Sequence, residues 1–512
     1  MKKLPIGIQE FRKLREGGYI YVDKTEYIYK LITEGSYYFL SRPRRFGKSL
    51  LVNTLAELFS GCKELFKGLW IENKIEWDKH PVIHFDFSRM GYKEVGLEIA
   101  LGKSLNNNAE QNNVKLTNKG IALRFEELIQ KCHEKFGKGA AILIDEYDKP
   151  IIDFLDKESI HKAHEHRETL KSFYSILKGN DAHIRFLFMT GVSKFSKVSV
   201  FSDLNHLMDI TTVDDFAAML GYTQAELSFF SEYYPDIEEK YKNTYPNIDE
   251  AIKKWYDGYS WNGTDYLYNP FSILSFLKNK QFKNYWYATG TPSFLIKLVK
   301  ERNYSIPELS NIEIQELALD KFNIEKLELI PLLFQTGYLT IKEAYPNQIL
   351  RLGFPNREVD GAFNTHLLAE LLDNDVDNAS IGLIKLTRHL KEEKPEDFIL
   401  LLNTLFKGIA YQNADPTENY FHSLFYLVVK LLGYTIESEI QTIDGRIDAV
   451  VWTDQFCYIM EFKIGKAAEA MKQIKTKEYD KKYLGDGKKI YLIGIGFNAR
   501  KKQIGDWLIE DV

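Results

Sequence analysis

Four short apolar runs constrain this chain more than any other feature. They are YYFLS (37–41), PVIHFDFS (81–88), AAILIDEYD (140–148) and IRFLFMTGV (184–192), and helical stretches separate them. Strands that alternate with helices form a parallel sheet covered on both faces. Residues 1–215 are therefore expected to form one α/β domain. Residues 216–375 read as mainly helical, punctuated by the aromatic loops WYDGYSW, YNPFS and YWYATGTP. Within them IPLLFQTGYLTIK (330–342) reads as a helix leading into a strand, as in a winged-helix unit. Residues 376–512 begin with helices and end in a second, smaller α/β domain. Its strands are YTIESEI, GRIDAVVW, FCYIMEFKI and KKIYLIGIGF, with a basic helix from about Lys466 to Tyr483.

The loop after the first run carries chemistry. The stretch Arg42-Pro43-Arg44-Arg45-Phe46-Gly47-Lys48-Ser49 lies between a strand and a helix. A phosphate-binding loop reads GxxxxGK[ST] in that context. The free N–H groups and positive dipole end of the helix favour a bound phosphate. Lys48 would reach the β- and γ-phosphates, and Ser49 would ligate Mg²⁺. Arg42 stands where the first glycine is expected, so the left-handed turn must be made differently. Arg44 and Arg45 read equally as phosphate ligands, as fingers for a neighbouring copy in a homo-oligomer, or as partners of surface acids.

The third run supports the same ligand. AAILIDEYD delivers Asp145 and Glu146 at a strand end, which is a Walker B pattern. Asp145 would hold the Mg²⁺ shell and Glu146 would polarise the attacking water. FLFMTGVSKFS offers Thr190 and Ser193 as polar sensors at the tip of the next strand. Thr190 is preferred, with plain strand capping as the alternative. The ligand that fits the whole set is a nucleoside triphosphate, ATP.

A second constellation lies near the C-terminus. GRIDAVV places Asp448 on a strand just after a turn at Asp444-Gly445. IMEFKI places Glu461 and Lys463 on one face of the next strand, because side chains alternate with period two. A hairpin would bring Asp448 beside Glu461. Two carboxylates converging there make an oxygen site for Mg²⁺ or Mn²⁺. Lys463 is a cation within reach of the same pocket, which suits phosphodiester hydrolysis. From 460 to 505 there are 12 Lys or Arg against five Asp or Glu. A basic helix beside a metal site suits a phosphate backbone, DNA or RNA.

Composition excludes less than these motifs imply. A net charge of −5 and a pI of about 6.2 argue against a uniformly basic coat, yet leave room for a local groove. Cys62, Cys132 and Cys457 are far apart and form no CxxC pair, so a cytoplasmic setting is the simplest reading. The N-terminus lacks the apolar core of a signal peptide, and the longest apolar runs are too short to cross a bilayer. His161, His164 and His166 do not share one helical face and read as a solvated helix. Asp86 reads as a strand-end residue, either near the nucleotide or structural. The aromatic loops read as packing rather than as platforms for bases.

The stretches PIGIQEFRKLREGGYIYVDKT, YFLSRPRRFGKSLL, ILIDEYD, WYDGYSW, YNPFSIL and GRIDAVV…MEFK resemble a bacterial family. It has an N-terminal AAA-ATPase-like domain and a C-terminal domain of the PD-(D/E)XK nuclease superfamily. The loop without its first glycine is usual there. The superfamily often places another acid on the preceding helix, which Glu418 matches, and a glutamine on the following helix, which Gln473 matches. Tyr479 is expected on that same helix. The resemblance adds architecture more than purpose; the two separate metal-phosphate constellations in one chain point to an ATP-regulated, metal-dependent nuclease. The alternative from a different class is an ATP-switched binding or scaffolding protein with a degenerate nuclease fold. A third reading, an ATP-driven motor on DNA, predicts DNA-stimulated hydrolysis that is lost in Glu146→Gln.

Overall fold

A computed structural model describes residues 2–156, 158–194, 206–287, 295–296, 298–299, 306–319, 328–372, 376–407, 418–433, 437–443, 446–483, 487–498, 500–501 and 503–512. Side chains are not described at 307, 407, 418–423, 437–443, 446–448 and 482. The chain divides into two units. The first joins Met1–Gly290 to Ile312–Glu358, and the second joins Thr291–Asn311 to Val359–Val512.

In the first unit β1 (Tyr37–Ser41), β2 (Val82–Asp86), β3 (Ala140–Asp145), β4 (Ile184–Gly191) and the short β5 (Met208–Asp209) form one sheet in the order β2-β3-β4-β1-β5. Every pairing is parallel. All six residues of β3 are buried, as a strand covered on both faces requires. On one face the helix Lys48–Phe59 lays Leu51 and Leu55 into a core with Leu143, Phe186 and Phe188. On the other, the rings of Phe125 and Phe173 stack at 4.5 Å, and both meet Phe85 edge-on. Each aromatic pair contributes roughly 1 kcal/mol beyond its burial. Because the strands are parallel, the loops after β1, β3 and β4 all leave from one edge, where open α/β sheets bind ligands.

The same unit carries the helices Ile248–Tyr256, Pro270–Asn279 and Leu329–Thr336. Pro270–Asn279 starts where sequence rules would put it. Asn269 accepts from the N–H groups of Phe271 and Ser272, and proline holds the first helical position. Leu329–Thr336 stops at Gly337, whose φ of 89° is left-handed, and the chain then enters a strand. This is the helix leading into a strand read at 330–342. Besides helices, the middle of the chain forms an antiparallel sheet of β6 (Ile312–Gln315), β7 (Thr340–Tyr345) and β8 (Ile349–Gly353) in the order β6-β8-β7.

The second unit holds a sheet of β9 (Glu437–Ile443), β10 (Arg446–Trp452), β11 (Phe456–Ile464), β12 (Lys489–Asn498) and β13 (Gln503–Asp511) in chain order. Only β11 and β12 pair in parallel, and the helix Ala467–Thr476 makes the crossover that a parallel pair needs. One sheet face meets that helix through Val450, Ile459, Leu492 and Met471. The opposite face meets the preceding helices. Phe425 stacks on Phe462 at 5.1 Å, and the Tyr458 hydroxyl donates to the Leu390 carbonyl at 2.6 Å. One expectation is corrected here. The basic helix ends at Thr476 rather than near Tyr483, because Glu478 takes a left-handed φ of 51° and a 3₁₀ turn, Tyr479–Lys482, comes next. Tyr479 is therefore off the helix and packs against the core of the second unit.

Candidate functional site

The first unit contains a cleft of about 400 Å³ at the edge where β1 and β3 end. That volume lies within the usual range for small-molecule sites. Its polar floor is the loop Arg44–Ser49, with Glu146 across from it, and its apolar walls include Ile8, Val22, Leu220, Tyr222 and Phe271. The loop makes its left-handed turns at Arg45, with φ 68°, and at Gly47, with φ 95°. Gly47 caps the helix Lys48–Phe59 without any side-chain hydrogen bond to the helix start. The first N–H groups of a helix begun in this way suit a ligand anion. Arg45 and Glu146, with φ 53°, are both strained non-glycine residues, and both line this cleft. Such strain gathers at functional sites.

Lys48 is buried and folded back on its own loop. Its Nζ donates to the carbonyls of Arg42 at 2.9 Å and Pro43 at 3.0 Å. Burial lowers the Lys48 pKa, while Glu146 and Asp145 hold it up. Burial raises the Glu146 carboxyl in turn, opposed mainly by Lys48. Asp145 ends β3 almost fully buried, and the Thr190 hydroxyl donates to it at 2.5 Å. The Glu146 N–H donates to the same hydroxyl at 3.4 Å. Thr190 thus lies beneath the acidic pair, fully buried. Ser193 belongs to a separate cluster. Asp148 accepts from its N–H, its hydroxyl and the Val192 N–H, and burial raises the Asp148 pKa against those bonds. Asp86 pairs with Arg89 and accepts from Ser88. His166 is buried on the Pro150 carbonyl, and among the described residues no three His, Cys, Asp or Glu gather as a metal cluster.

Arg42 is the residue the motif alone misjudges. It has no exposed surface, and its guanidinium donates to the carbonyls of Ser41 at 2.9 Å, Thr211 at 2.8 Å and Phe216 at 3.3 Å. It also stacks over Trp261 at 4.0 Å. The aromatic loops do pack, and what they pack against is the phosphate-binding loop. Phe46 meets Tyr259 at 4.8 Å and Trp261 at 5.1 Å, and the Arg45 guanidinium lies over Phe271. The Arg44 carbonyl accepts from Trp286 Nε1 at 3.0 Å. Gly337 sits so close that a Cβ there would lie 2.6 Å from the Pro43 Cβ. The signal in the sequence was the density of Trp, Tyr and Asn-Pro motifs, whose target no spacing rule names.

In the second unit Asp448 on β10 is directly opposite Glu461 on β11, so the two share a sheet face. The side chains of Asp448 and Glu418, and the turn at 444–445, lie outside the described residues. Glu461 is fully buried, and neither carboxylate oxygen has a hydrogen-bond partner among the described residues. Lys463 is two residues further on the same face and half-buried. Gln473, on the crossover helix, has a buried Nε2 that is likewise without a partner among the described residues. Gly494 and Gly496 face Glu461 and Lys463 across the ladder, and a Cβ at Gly494 would lie 2.8 Å from the Ala467 carbonyl. These glycines let the crossover helix press against the sheet beside the two residues.

The folds and motifs define a P-loop ATPase-like domain followed by a nuclease-like domain. Residues 5–201 match the family described as Predicted AAA-ATPase, and residues 416–507 match the PD-(D/E)XK nuclease superfamily. The chain is also 37% identical over 532 aligned positions to an uncharacterized protein in the vnfD 5′ region of Azotobacter chroococcum mcd 1, covering 100% of this chain and 99% of that one. It belongs to that family of AAA-ATPase-like proteins with a C-terminal PD-(D/E)XK domain. No solved structure matches it. Among the described residues no helix is long and apolar enough to cross a membrane.

Proposed function

We propose that this chain binds and hydrolyses ATP, and that its nucleotide state controls a Mg²⁺- or Mn²⁺-dependent phosphodiesterase acting on nucleic acid. The proposed parts are an ATPase segment 1–215, a middle segment 216–375 and a nuclease segment 376–512. The observation that carries the reading is Glu461, a carboxylate with no exposed surface and no partner on either oxygen among the described residues. Such a burial costs on the order of several kcal/mol. Glu461 and Asp448 would hold a divalent cation, whose charge would offset that cost.

When bound, the cation supplies Lewis-acid stabilisation of charge at a phosphodiester. Lys463 adds a fixed positive charge at the phosphoryl oxygens, and Gln473 offers an amide donor to the same pocket. Glu418 is the auxiliary acid. The lysines around the crossover helix suit the backbone of DNA or RNA.

At the cleft, the N–H groups at the start of Lys48–Phe59 receive phosphate, flanked by Arg44, Arg45 and Phe46. Lys48 transfers its Nζ from its own loop carbonyls to the β- and γ-phosphate oxygens. Ser49 and Asp145 would hold Mg²⁺. Glu146 accepts the proton of the attacking water, and its raised pKa supports a base working closer to neutrality. Thr190 fixes the orientation of Asp145 and Glu146, and the apolar walls suit a base. The wide spacing of Cys62, Cys132 and Cys457, with no CxxC pair, supports a cytoplasmic setting.

Incubation of the full chain with DNA and RNA, with Mg²⁺ or Mn²⁺, tests the reading. Lys463→Ala should slow cleavage roughly 100-fold or more, as loss of one electrostatic stabiliser does, and Glu461→Gln should remove Mn²⁺ binding. Cleavage that survives Lys463→Ala unchanged contradicts the assignment. Normal nucleotide binding with no Mn²⁺ at Glu461 favours the scaffolding alternative.

A further inference from the structure

Trp286 occupies a position that packing alone does not require. Its side-chain Nε1 donates to the Arg44 carbonyl in the phosphate-binding loop, at 3.0 Å. Its main-chain N–H donates to Glu358 Oε1, at 2.6 Å. One residue therefore hydrogen-bonds the loop with one group and Glu358 with another. Glu358 is almost fully buried and is the second residue of the helix Arg357–Leu371. It is also the last residue of the first unit, and the rest of that helix belongs to the second. The indole is held from several sides, with Tyr338 edge-on at 5.3 Å and Tyr259 at 6.3 Å. The loop has little slack against this group, since Pro43 already rests on Gly337. Any shift of Arg44 that accompanies phosphate binding must move or tighten Trp286, and with it the first turn of Arg357–Leu371.

We infer that Trp286 is a positioning residue that couples the phosphate-binding loop to the start of the helix Arg357–Leu371, through Arg44 on one side and Glu358 on the other. The inference rests on the reading of the cleft as a nucleotide site and adds the residues by which its occupancy is passed on. Coupling of this kind is reciprocal, so a change that loosens the helix start also weakens the loop's grip on nucleotide.

Hydrogen exchange of the full chain, with and without a non-hydrolysable ATP analogue and Mg²⁺, tests it. In the wild type the analogue should slow exchange at 42–49 and also at 357–371, the latter by roughly 5-fold or more, the low end of common coupling strengths. Trp286→Phe keeps a ring but removes the Nε1 donor. It should still show protection at 42–49 and lose the protection at 357–371. Glu358→Ala leaves the indole donor in place and removes the other acceptor, so it should lose the same protection. It also serves as the second test if Trp286→Phe fails to fold. Protection at 42–49 without protection at 357–371 in the wild type overturns the inference and leaves the nucleotide site standing. Full protection at 357–371 in either variant overturns it too. No protection at 42–49 in the wild type overturns the nucleotide reading and the inference with it.

Discussion

Arg42 replaces the glycine that opens most phosphate-binding loops, and its surroundings explain how the fold accommodates it. A buried guanidinium needs partners for its donors, and here four main-chain carbonyls accept from its two terminal nitrogens and the face of Trp261 covers it, while Nε has no partner among the described residues. The turn that glycine normally permits has moved to Arg45 and Gly47. Restoring the motif should therefore harm this protein. Arg42→Gly would leave the carbonyls of Ser41, Thr211 and Phe216 without their charged donor and should destabilise the first unit by about 3 kcal/mol, given the usual worth of charge-assisted hydrogen bonds. Nucleotide binding should weaken with it. Denaturant unfolding and a binding titration check this. A variant within ~0.5 kcal/mol of wild type, the range of neutral surface substitutions, with unchanged binding, would show that the clamp is idle. The sequence made the placement of Lys48, Ser49 and Glu146 at one cleft, with Asp145 beside it, legible, because those residue types answer to short local patterns. It could not reveal Arg42's distant partners Thr211, Phe216 and Trp261, which lie about 170 to 220 positions away.

The elements were legible where pattern and period agree. The four runs became β1 to β4, since uninterrupted apolar stretches flanked by helices have few folded outcomes other than a parallel sheet. The crossover helix was read too long, because a left-handed Glu478 is not announced by composition. The aromatic loops between 255 and 294 read as packing without a target, and Tyr259, Trp261 and Trp286, among their described residues, meet the phosphate-binding loop. Gly337 belongs to this scale. It ends Leu329–Thr336 and lets that helix end approach Pro43, at a φ that disfavours any side chain. Gly337→Ala should cost roughly 1 kcal/mol or more from backbone strain alone, and should push the loop away from its aromatic support. The expected readout is a nucleotide affinity loss larger than the loss of stability explains. An unchanged affinity would mean that the helix end and the loop are independent.

For the whole molecule, the proposed function places two phosphate chemistries in one chain. One would gather around a buried lysine at the edge of a parallel sheet, and the other around a buried carboxylate that has no partner among the described residues, in a mixed sheet. Each domain matches a family of its own, and the chain aligns over its whole length with a relative of similar length. The central claim is that nucleotide at the first site governs hydrolysis at the second. The most direct measurement is the rate of Mn²⁺-dependent nucleic-acid cleavage, with and without ATP, by the wild type and by Lys48→Ala. The account predicts that ATP changes the wild-type rate by roughly 5-fold or more, as an allosteric ligand of ordinary strength does, and that Lys48→Ala still cleaves but no longer responds to ATP. Wild-type cleavage that is identical with and without bound ATP would contradict it.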